Sequence, residues 1–220
     1  MRVLITGAAG AVGSCLVSRL QARHALRGFD LSPMPGLRDV VIGDVADLEV
    51  VEGAMAGMEA VIHLGGFGGD RPWEEILPTN YVGTYNVFEA ARRQGVRRIA
   101  FASRAGLLSS YPKSLTRTVD LLPLPNGLYD ISKIFGESLG YMYAARFGLE
   151  VVAVRIGNCS RDRDLPLHPH HLSPGDCARV FEAAITRPGI GYEVVFAVSD
   201  SNWPMYDLEH GRQVLGYRPQ

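Results

Sequence analysis

Apolar residues follow two alternating patterns along the chain. Short runs rich in valine, isoleucine and leucine are typical of buried strands, and longer segments with an apolar residue at every third or fourth position are typical of helices that pack one face on a core. The predicted strands are Arg2–Ile5, Ala25–Phe29, Asp39–Ile42, Ala60–Leu64, Arg98–Ala102, Val151–Ile156 and Tyr192–Val198. The predicted helices are Ala11–Ala22, Leu48–Met55, Tyr81–Gln94, Ser132–Phe147 and Asp176–Thr186. This alternation predicts an α/β fold in which helices cover both faces of a parallel sheet.

The pattern becomes irregular after Ile156. Residues 158–174 are polar and rich in proline and histidine, which predicts a loop, and residues 202–220 contain only a weak helical stretch. This part of the chain is too short and too irregular for a second domain. We therefore predict a single domain over residues 1–220, with its core at residues 1–157 and a small C-terminal cap at residues 158–220.

Charge and composition exclude several classes of partner. The 220 residues carry a formal net charge of −1, which gives no electrostatic reason to expect nucleic acid or an anionic membrane. No apolar run approaches the roughly 18 residues that a membrane span requires, and the apolar run at the N-terminus is too short for a signal peptide. The cysteines, Cys15, Cys159 and Cys177, are odd in number and widely spaced, which favours a reducing compartment. We therefore expect a cytoplasmic protein.

A glycine-rich segment, Thr6-Gly7-Ala8-Ala9-Gly10-Ala11-Val12-Gly13, follows the first predicted strand and begins the first helix. In such a segment the first glycine allows a sharp turn, the second lets the backbone approach a pyrophosphate, and the third lets the helix pack close to the strand. Glycine clusters also occur in plain turns, but the strand and helix around this one favour a dinucleotide-binding loop of the Rossmann type. The predicted cofactor contacts are Gly7, Ala9, Gly10, Ala11, Val12 and Gly13.

Two carboxylates follow the next strands. Asp30 ends the second strand about 20 residues after the glycine loop, where a carboxylate can accept hydrogen bonds from ribose hydroxyls. Its charge would repel a 2′-phosphate, which favours NAD over NADP. Asp44 is a candidate for contacting the adenine amino group, with Leu31 and Val45 beside the two carboxylates. The structural alternatives are a solvated turn residue for Asp30 and a helix cap for Asp44.

A tyrosine and a lysine lie four residues apart in Tyr129-Asp130-Ile131-Ser132-Lys133. A helix would place both on one face. A cation beside a phenol favours the phenolate, as would the positive charge of an oxidised nicotinamide, and a phenolate can accept the proton of a substrate hydroxyl. The alternative for Tyr129 is an aromatic side chain packed in the core.

The glycine loop and the Tyr129–Lys133 pair together resemble the extended short-chain dehydrogenases, above all those members that oxidise sugar acids. The similar segments are His63 to Gly66, Asn80 to Asn86, Phe101 to Ser103, Asn126 to Tyr129, Lys133 to Glu137, Val154 to Gly157 and Leu215 to Pro219. The resemblance implies a Rossmann-type doubly wound parallel sheet whose cap faces the substrate, a bound NAD, a small-molecule substrate, and a homodimer formed by the helices around Tyr85 and Ser132.

The resemblance also implies roles for individual residues. Tyr129 would be the acid/base, and Lys133 its partner and a ligand of the nicotinamide ribose. Asn80 would steady the helix that carries it or hold a water molecule. Further cofactor contacts are implied at Leu64, Gly65, Gly66, Ala102 and Ile156, and substrate contacts at Phe67, Arg104, Ala105 and Asn158.

The sequence departs from the family at a catalytic position. The family usually has a serine or threonine after the fifth strand that hydrogen-bonds the reacting oxygen, and this chain has Arg104 there. Three hypotheses follow. In the first, Ser103, Ser109 or Ser110 supplies the hydroxyl. In the second, Arg104 itself polarises a carbonyl or binds a carboxylate, since its guanidinium donates in a fixed fork. In the third, the protein no longer oxidises a sugar. Arg104 turned to solvent is the structural alternative.

Other substrate contacts of the family also differ. Ala105 and Gly106 stand where an asparagine and a histidine are expected, and Leu167 stands at the place of the arginine that binds the substrate carboxylate. Arg161 and Arg163 lie nearby but out of register. The cofactor half of the site is therefore intact, whereas the substrate half is changed.

The histidines His168, His170 and His171 have no acidic or thiol partner at ligand spacing, so we expect a substrate-facing or solvated loop and no metal site. Trp203 and Tyr206 are candidates for the wall of the pocket.

Three functions remain open from the sequence. The first is an NAD-dependent oxidoreductase acting on a small hydroxylated or carbonyl substrate. The second is a non-redox enzyme, namely an epimerase, dehydratase or cyclase that uses the cofactor transiently or as a scaffold. The third is a nucleotide-binding protein without turnover, since the fold alone does not separate these functions.

Overall fold

The computed structural model describes residues 1–159, 168–201 and 204–219. It contains nine strands, counted within these residues: β1 (Arg2–Thr6), β2 (Ala25–Asp30), β3 (Asp39–Ile42), β4 (Ala60–His63), β5 (Arg98–Arg104), β6 (Glu150–Ile156), β7 (Asn158–Cys159), β8 (His171–Leu172) and β9 (Tyr192–Ala197). The helices are α1 (Ala11–Leu20), α2 (Leu48–Met55), α3 (Trp73–Ile76), α4 (Gly83–Arg93), α5 (Leu128–Phe147), α6 (Pro174–Thr186) and α7 (Glu209–Leu215), with a π-helical segment at Leu77–Val82 and a 3₁₀ turn at Ala105–Leu108.

Seven strands form one sheet in the order β3-β2-β1-β4-β5-β6-β9, and every pair is parallel. The chain winds outward in both directions from β1, so the strand order reverses between β1 and β4. The carboxyl ends of these two strands form the crevice in which sheets of this kind bind ligands. The sheet confirms the predicted Rossmann-type doubly wound fold.

Each face of the sheet carries its own apolar core, because successive strand residues point to opposite faces. Val3 and Ile5 of β1 face one core, which contains Leu16 of α1 and Phe181 of α6. Leu4 of β1 faces the other core, which α2, α4 and α5 complete. The fully buried runs of the central strands match the predicted continuous apolar segments.

The structure differs from the predicted elements at several boundaries and adds the short elements α3, β7 and β8. β5 continues to Arg104, two residues beyond the prediction, and α5 begins at Leu128 instead of Ser132. The helix predicted at Tyr81–Gln94 starts as the π-helical segment, which runs directly into α4. The loop predicted at residues 158–174 contains the short parallel pair of β7 and β8. Arg161, Arg163, Leu167 and Trp203 lie outside the described residues.

None of the described helices is long and apolar enough to cross a membrane.

Candidate functional site

The glycine loop forms a tight cradle between β1 and α1. Gly7 has a φ of 68°, in the left-handed region that favours glycine, and its N–H donates to Phe29 O at 2.8 Å. A Cβ on Gly7 would lie 2.8 Å from Gly65 N, and a Cβ on Gly13 would overlap the carbonyl oxygen of Gly7. Gly10 caps the N-terminus of α1. Positions 7 and 13 of the loop therefore require glycine, and the loop backbone is not covered by side chains at these positions.

Asp30 ends β2 beside this cradle. Its Oδ2 accepts from Ala9 N and its Oδ1 from Ser32 N, both at 3.0 Å. These bonds tie the carboxylate to the loop and leave lone pairs free, since a carboxylate accepts about four hydrogen bonds. Asp30 and Leu31 line a cavity of about 230 Å³, together with Gly7, Gly10, Asp44, Val45, Leu64, Gly65, Gly66 and Phe67.

Asp44 also makes a local turn, because its Oδ1 accepts from Ala46 N at 2.9 Å. The cap of α2 is Asp47, whose side chain accepts from two backbone N–H groups of the first turn. The cap predicted as the alternative for Asp44 is therefore wrong. The amide of Asn86 donates to the carbonyls of Val45 and Ala46 and fixes this wall of the cavity.

The loop after β4 is held by Asn80. The side-chain oxygen of Asn80 accepts from Phe67 N at 2.8 Å, and its nitrogen donates to Phe67 O and to Ser132 Oγ, each at 3.2 Å. Gly65 N donates to Thr6 Oγ1 at 3.2 Å. Asn80 thus connects the loop after β4 to α5, which carries the Tyr129–Lys133 pair.

Tyr129 and Lys133 lie on the first two turns of α5. The helix starts four residues earlier than predicted because Asp70, from a distant loop, accepts from Tyr129 N at 2.8 Å and packs over Gly127, where a Cβ would overlap the carboxylate. Ser132 Oγ donates to Tyr129 O at 2.7 Å. The predicted helical placement of the pair is correct, but its cap comes from a residue that local sequence does not mark.

Burial sets the protonation of both side chains. Lys133 is 8% exposed, and burial, followed by the like charge of Arg104, lowers its pKa to about 8. Burial raises the pKa of the Tyr129 phenol, the Arg104 charge opposes this, and Asp130 adds to it. Lys133 Nζ lies 5.5 Å from the centre of the Tyr129 ring. Within the chain itself, the phenol therefore stays protonated at neutral pH.

Arg104 leaves the end of β5 and reaches over Tyr129. Its Cζ lies 5.3 Å from the centre of that ring, and its Nη1 donates to the buried Asp130 Oδ1 at 2.5 Å. A Cβ on Gly106 would overlap the guanidinium. Asp130 therefore anchors one nitrogen of Arg104, and Gly106 makes room for the rest of the group.

Ser103 points the other way. Its side chain is buried, and Oγ donates to Glu137 Oε1 at 2.6 Å. Glu137 also accepts two bonds of 2.8 Å from Arg155. Neighbouring residues of a strand point to opposite faces, so Arg104 faces the cavity and Ser103 cannot. The prediction that Ser103 supplies the missing hydroxyl is therefore wrong.

The other candidate residues near Arg104 also differ in whether their side chains reach a cavity. Ala105 is fully buried in a small apolar cluster, so its side chain cannot meet a substrate as predicted. Ala102 is also buried. Ser110 donates to Asn126 Oδ1 at 3.2 Å. Ser109 is exposed and lines the second cavity.

This second cavity, of about 720 Å³, adjoins the first along the glycine loop. Arg104 and Tyr129 face it, and its other lining residues are Val12, Gly68, Gly69, Asp70, Gly106, Ser109, Ile156, Gly157, Asn158, Cys159 and His170. Phe67, predicted as a substrate contact, lines the first cavity instead. The polar side chains of this second cavity belong to Asp70, Arg104, Ser109, Tyr129, Asn158 and His170, which suits a hydroxylated ligand.

The three cysteines converge, although they are far apart in sequence. Cys15 Sγ donates to the carbonyl of Pro174 at the start of α6, where Cys177 lies. Contact with Cys15 is the main cause that raises the pKa of the Cys159 thiol, to about 11. None of these cysteines forms a disulfide.

Sequence reasoning missed Asp70 and Glu137. It named His170 only as part of a loop that faces the substrate or the solvent, and the structure places His170 in the lining of the second cavity. Asp70 follows Gly68 and Gly69 in a loop and carries no motif. Glu137 lies four residues after Lys133, and that spacing is the signal that would have placed it on the same face of α5.

The fold and the site define a dinucleotide-binding protein with a Tyr–Lys pair at the carboxyl ends of the sheet. The chain belongs to the NAD dependent epimerase/dehydratase family, whose model matches residues 3–194. This confirms the resemblance predicted from the motifs.

The relatives include sugar and sugar-acid dehydrogenases. Uronate dehydrogenase of Pseudomonas syringae pv. tomato is 35% identical, with 100% of this chain and 82% of the relative covered. NAD-dependent glucose-6-phosphate dehydrogenase of Haloferax volcanii is 34% identical, covering 99% of this chain and 92% of the relative. A solved structure of a uronate dehydrogenase variant from Agrobacterium tumefaciens complexed with NAD superposes with a TM-score of 0.92, at 36% identity, over 100% of this chain and 84% of that one.

Proposed function

We propose that the protein is an NAD-dependent oxidoreductase that oxidises a hydroxyl group of a small sugar acid. The observation that carries this proposal is the position of Tyr129, which faces a polar cavity adjoining the glycine cradle, with Lys133 beside it. Relatives at 35% identity are uronate dehydrogenases, which supports a substrate of this class.

The residues around the first cavity fit NAD. Side chains at Gly7 and Gly13 would intrude on the loop, and the first turn of α1 presents unbonded N–H groups to a pyrophosphate. Asp30 supplies acceptors for ribose hydroxyls and repels a 2′-phosphate. NAD, when bound, supplies the hydride acceptor for the oxidation.

Tyr129 is the acid/base in this proposal. Its phenol exchanges a proton with the reacting hydroxyl, and the charges of Arg104 and Lys133, within about 6 Å of the ring, favour the phenolate against the effect of burial. Lys133 also binds the nicotinamide ribose.

Arg104 binds the substrate in place of the usual hydroxyl donor. Asp130 holds Nη1, so Nε and Nη2, which lie over Gly106, remain for a carboxylate or carbonyl oxygen in the second cavity. A charged donor at this position suits a substrate with a carboxylate. Ser109 and Asn158 supply neutral contacts.

The proposal is tested by the absorbance of reduced nicotinamide when the protein is mixed with NAD and either D-glucuronate or D-galacturonate. Tyr129→Phe should lower kcat by roughly 10² to 10⁴ and leave NAD affinity unchanged, since only the proton transfer is lost. Tyr141→Phe, on the exposed side of the same helix, is the matched control. Full activity of Tyr129→Phe would remove the assigned role, and reduction of NAD by neither acid would reject the substrate class in favour of a non-redox reaction.

We also propose a cytoplasmic homodimer of single-domain subunits. The exposed apolar residues Tyr85, Ile131 and Phe147 lie on the neighbouring helices α4 and α5, where a partner would cover them. Sedimentation should give twice the subunit mass, and Tyr85→Asp should give the monomer. More than one unfolding transition would contradict the single domain.

A further inference from the structure

His170 lines the second cavity from the residue just before β8, in a tightly packed segment. Asn158 N donates to His170 O at 2.6 Å, and a Cβ on Gly157 would overlap the same carbonyl. On the other side, Ser199 N donates to His171 O at 2.7 Å. The backbone at His170 is therefore fixed from both sides, and its ring lines the cavity that Tyr129 and Arg104 face.

Tyr206 fixes the ring of His170. The hydroxyl oxygen of Tyr206 lies 2.7 Å from His170 Nδ1 and 3.4 Å from Ala105 O. Tyr206 is itself buried, and the guanidinium of Arg117 stacks on it with Cζ 5.4 Å from the ring centre. Arg117 is held by the carbonyls of Leu108 and Tyr111. A buried chain of contacts thus ends at Nδ1 of a ring that lines the second cavity.

The proton positions follow from these contacts. Burial, then the charges of His168, Arg117 and Arg104, lower the pKa of His170 to about 4, so the ring is neutral at physiological pH. Burial raises the pKa of Tyr206, which keeps its proton. The Tyr206 hydroxyl has one proton and two acceptors within reach, Ala105 O at 3.4 Å and His170 Nδ1 at 2.7 Å, and we infer from the shorter contact that it donates to Nδ1. The single ring proton of His170 then resides on Nε2, which has no hydrogen-bonding partner among the described residues.

We propose that His170 is a substrate-binding residue that donates from Nε2 to an oxygen atom of the sugar acid, with Tyr206 as the residue that fixes its tautomer. This inference rests on the proposed function, since it assigns the polar contact that Ala105 and Gly106 no longer supply. A neutral donor suits this position because Arg104 already provides the positive charge. Arg104 then takes the carboxylate, and His170 takes a neutral oxygen.

The test compares His170→Phe, which keeps a ring to stack on Tyr206, with His170→Gln, whose amide nitrogen can reach the place of Nε2. His170→Phe should raise the KM for D-glucuronate by roughly three- to tenfold, the range of one lost hydrogen bond between neutral groups, and His170→Gln should recover part of this. NAD affinity should remain that of the wild type in both variants. His210→Phe, on the surface of α7, is the matched control.

Two readouts do not depend on turnover. Calorimetric binding of D-glucuronate to the enzyme–NADH complex should weaken in His170→Phe by the same factor as KM. In ¹⁵N spectra of the wild type, His170 should carry its proton on Nε2, and Tyr206→Phe should shift it towards a mixture of tautomers.

The outcomes separate this inference from the function on which it rests. A wild type that oxidises D-glucuronate and a His170→Phe variant with unchanged KM and binding would overturn the role of His170 alone. So would a proton found on Nδ1. A wild type that neither oxidises nor binds any sugar acid would overturn the proposed function and this inference together.

Discussion

Lys133 is expected to lose its proton near pH 8, because burial and the charge of Arg104 both disfavour the ammonium form. The chain contains only two lysines, and the other, Lys113, is exposed and provides an internal reference. The perturbation that tests this electrostatic account is Arg104→Ser, which removes the like charge and leaves the burial of Lys133 in place.

The size of the effect follows from the geometry. The Arg104 Cζ and Lys133 Nζ atoms lie 5.3 and 5.5 Å from the same Tyr129 ring centre, so the two charges are at most about 11 Å apart. At an effective dielectric constant of about 20, two unit charges at that distance repel by about 1.5 kcal/mol, and solvent around the partly exposed Arg104 reduces this. Arg104→Ser should therefore raise the proton-binding constant of Lys133 by roughly three- to tenfold.

The assay is a pH titration of the side-chain carbon signals of the two lysines by NMR. Arg146→Ser is the control, since Arg146 lies on the last turn of the same helix, roughly 20 Å from Lys133 at 1.5 Å per residue. The reasoning is refuted if Lys133 keeps its proton well above pH 8, or if Arg104→Ser leaves its titration unchanged.

Two further predictions concern stability and the cofactor. Glu137→Gln breaks the buried ion pair with Arg155 and should lower the free energy of unfolding in urea by roughly 3–5 kcal/mol. Glu209→Gln, which breaks an exposed ion pair, should change it by less than about 1 kcal/mol. Equal losses in the two variants would contradict the stabilising role of the buried pair. Gly13→Ala should weaken NAD binding in calorimetry by roughly tenfold or more, because the added Cβ overlaps the glycine loop. Gly53→Ala is the control, since its Cβ meets open space and should leave NAD binding unchanged. Equal NAD affinities of the two variants would show that the loop adjusts to the added Cβ.

The parts of the site predicted best are those encoded by neighbouring residues. The glycine loop and Asp30 belong to one continuous β1–α1–β2 unit, and the Tyr129–Lys133 pair lies within two helical turns. In each case local backbone geometry fixes the relative positions, so the spacing alone identifies them. The start of α5 was misplaced because its cap, Asp70, comes from a loop 59 residues earlier.

The amino-acid sequence by itself determined the alternating fold, the glycine cradle and the pairing of Tyr129 with Lys133, because periodicity and short-range spacing specify them. Only the tertiary structure decided what surrounds the reacting groups. In the folded chain, the buried Ser103 hydrogen-bonds Glu137, Asp130 holds Arg104, and His170 lines the second cavity. These contacts depend on which face of a strand or helix meets which distant segment, and that is settled by packing between elements far apart in the chain.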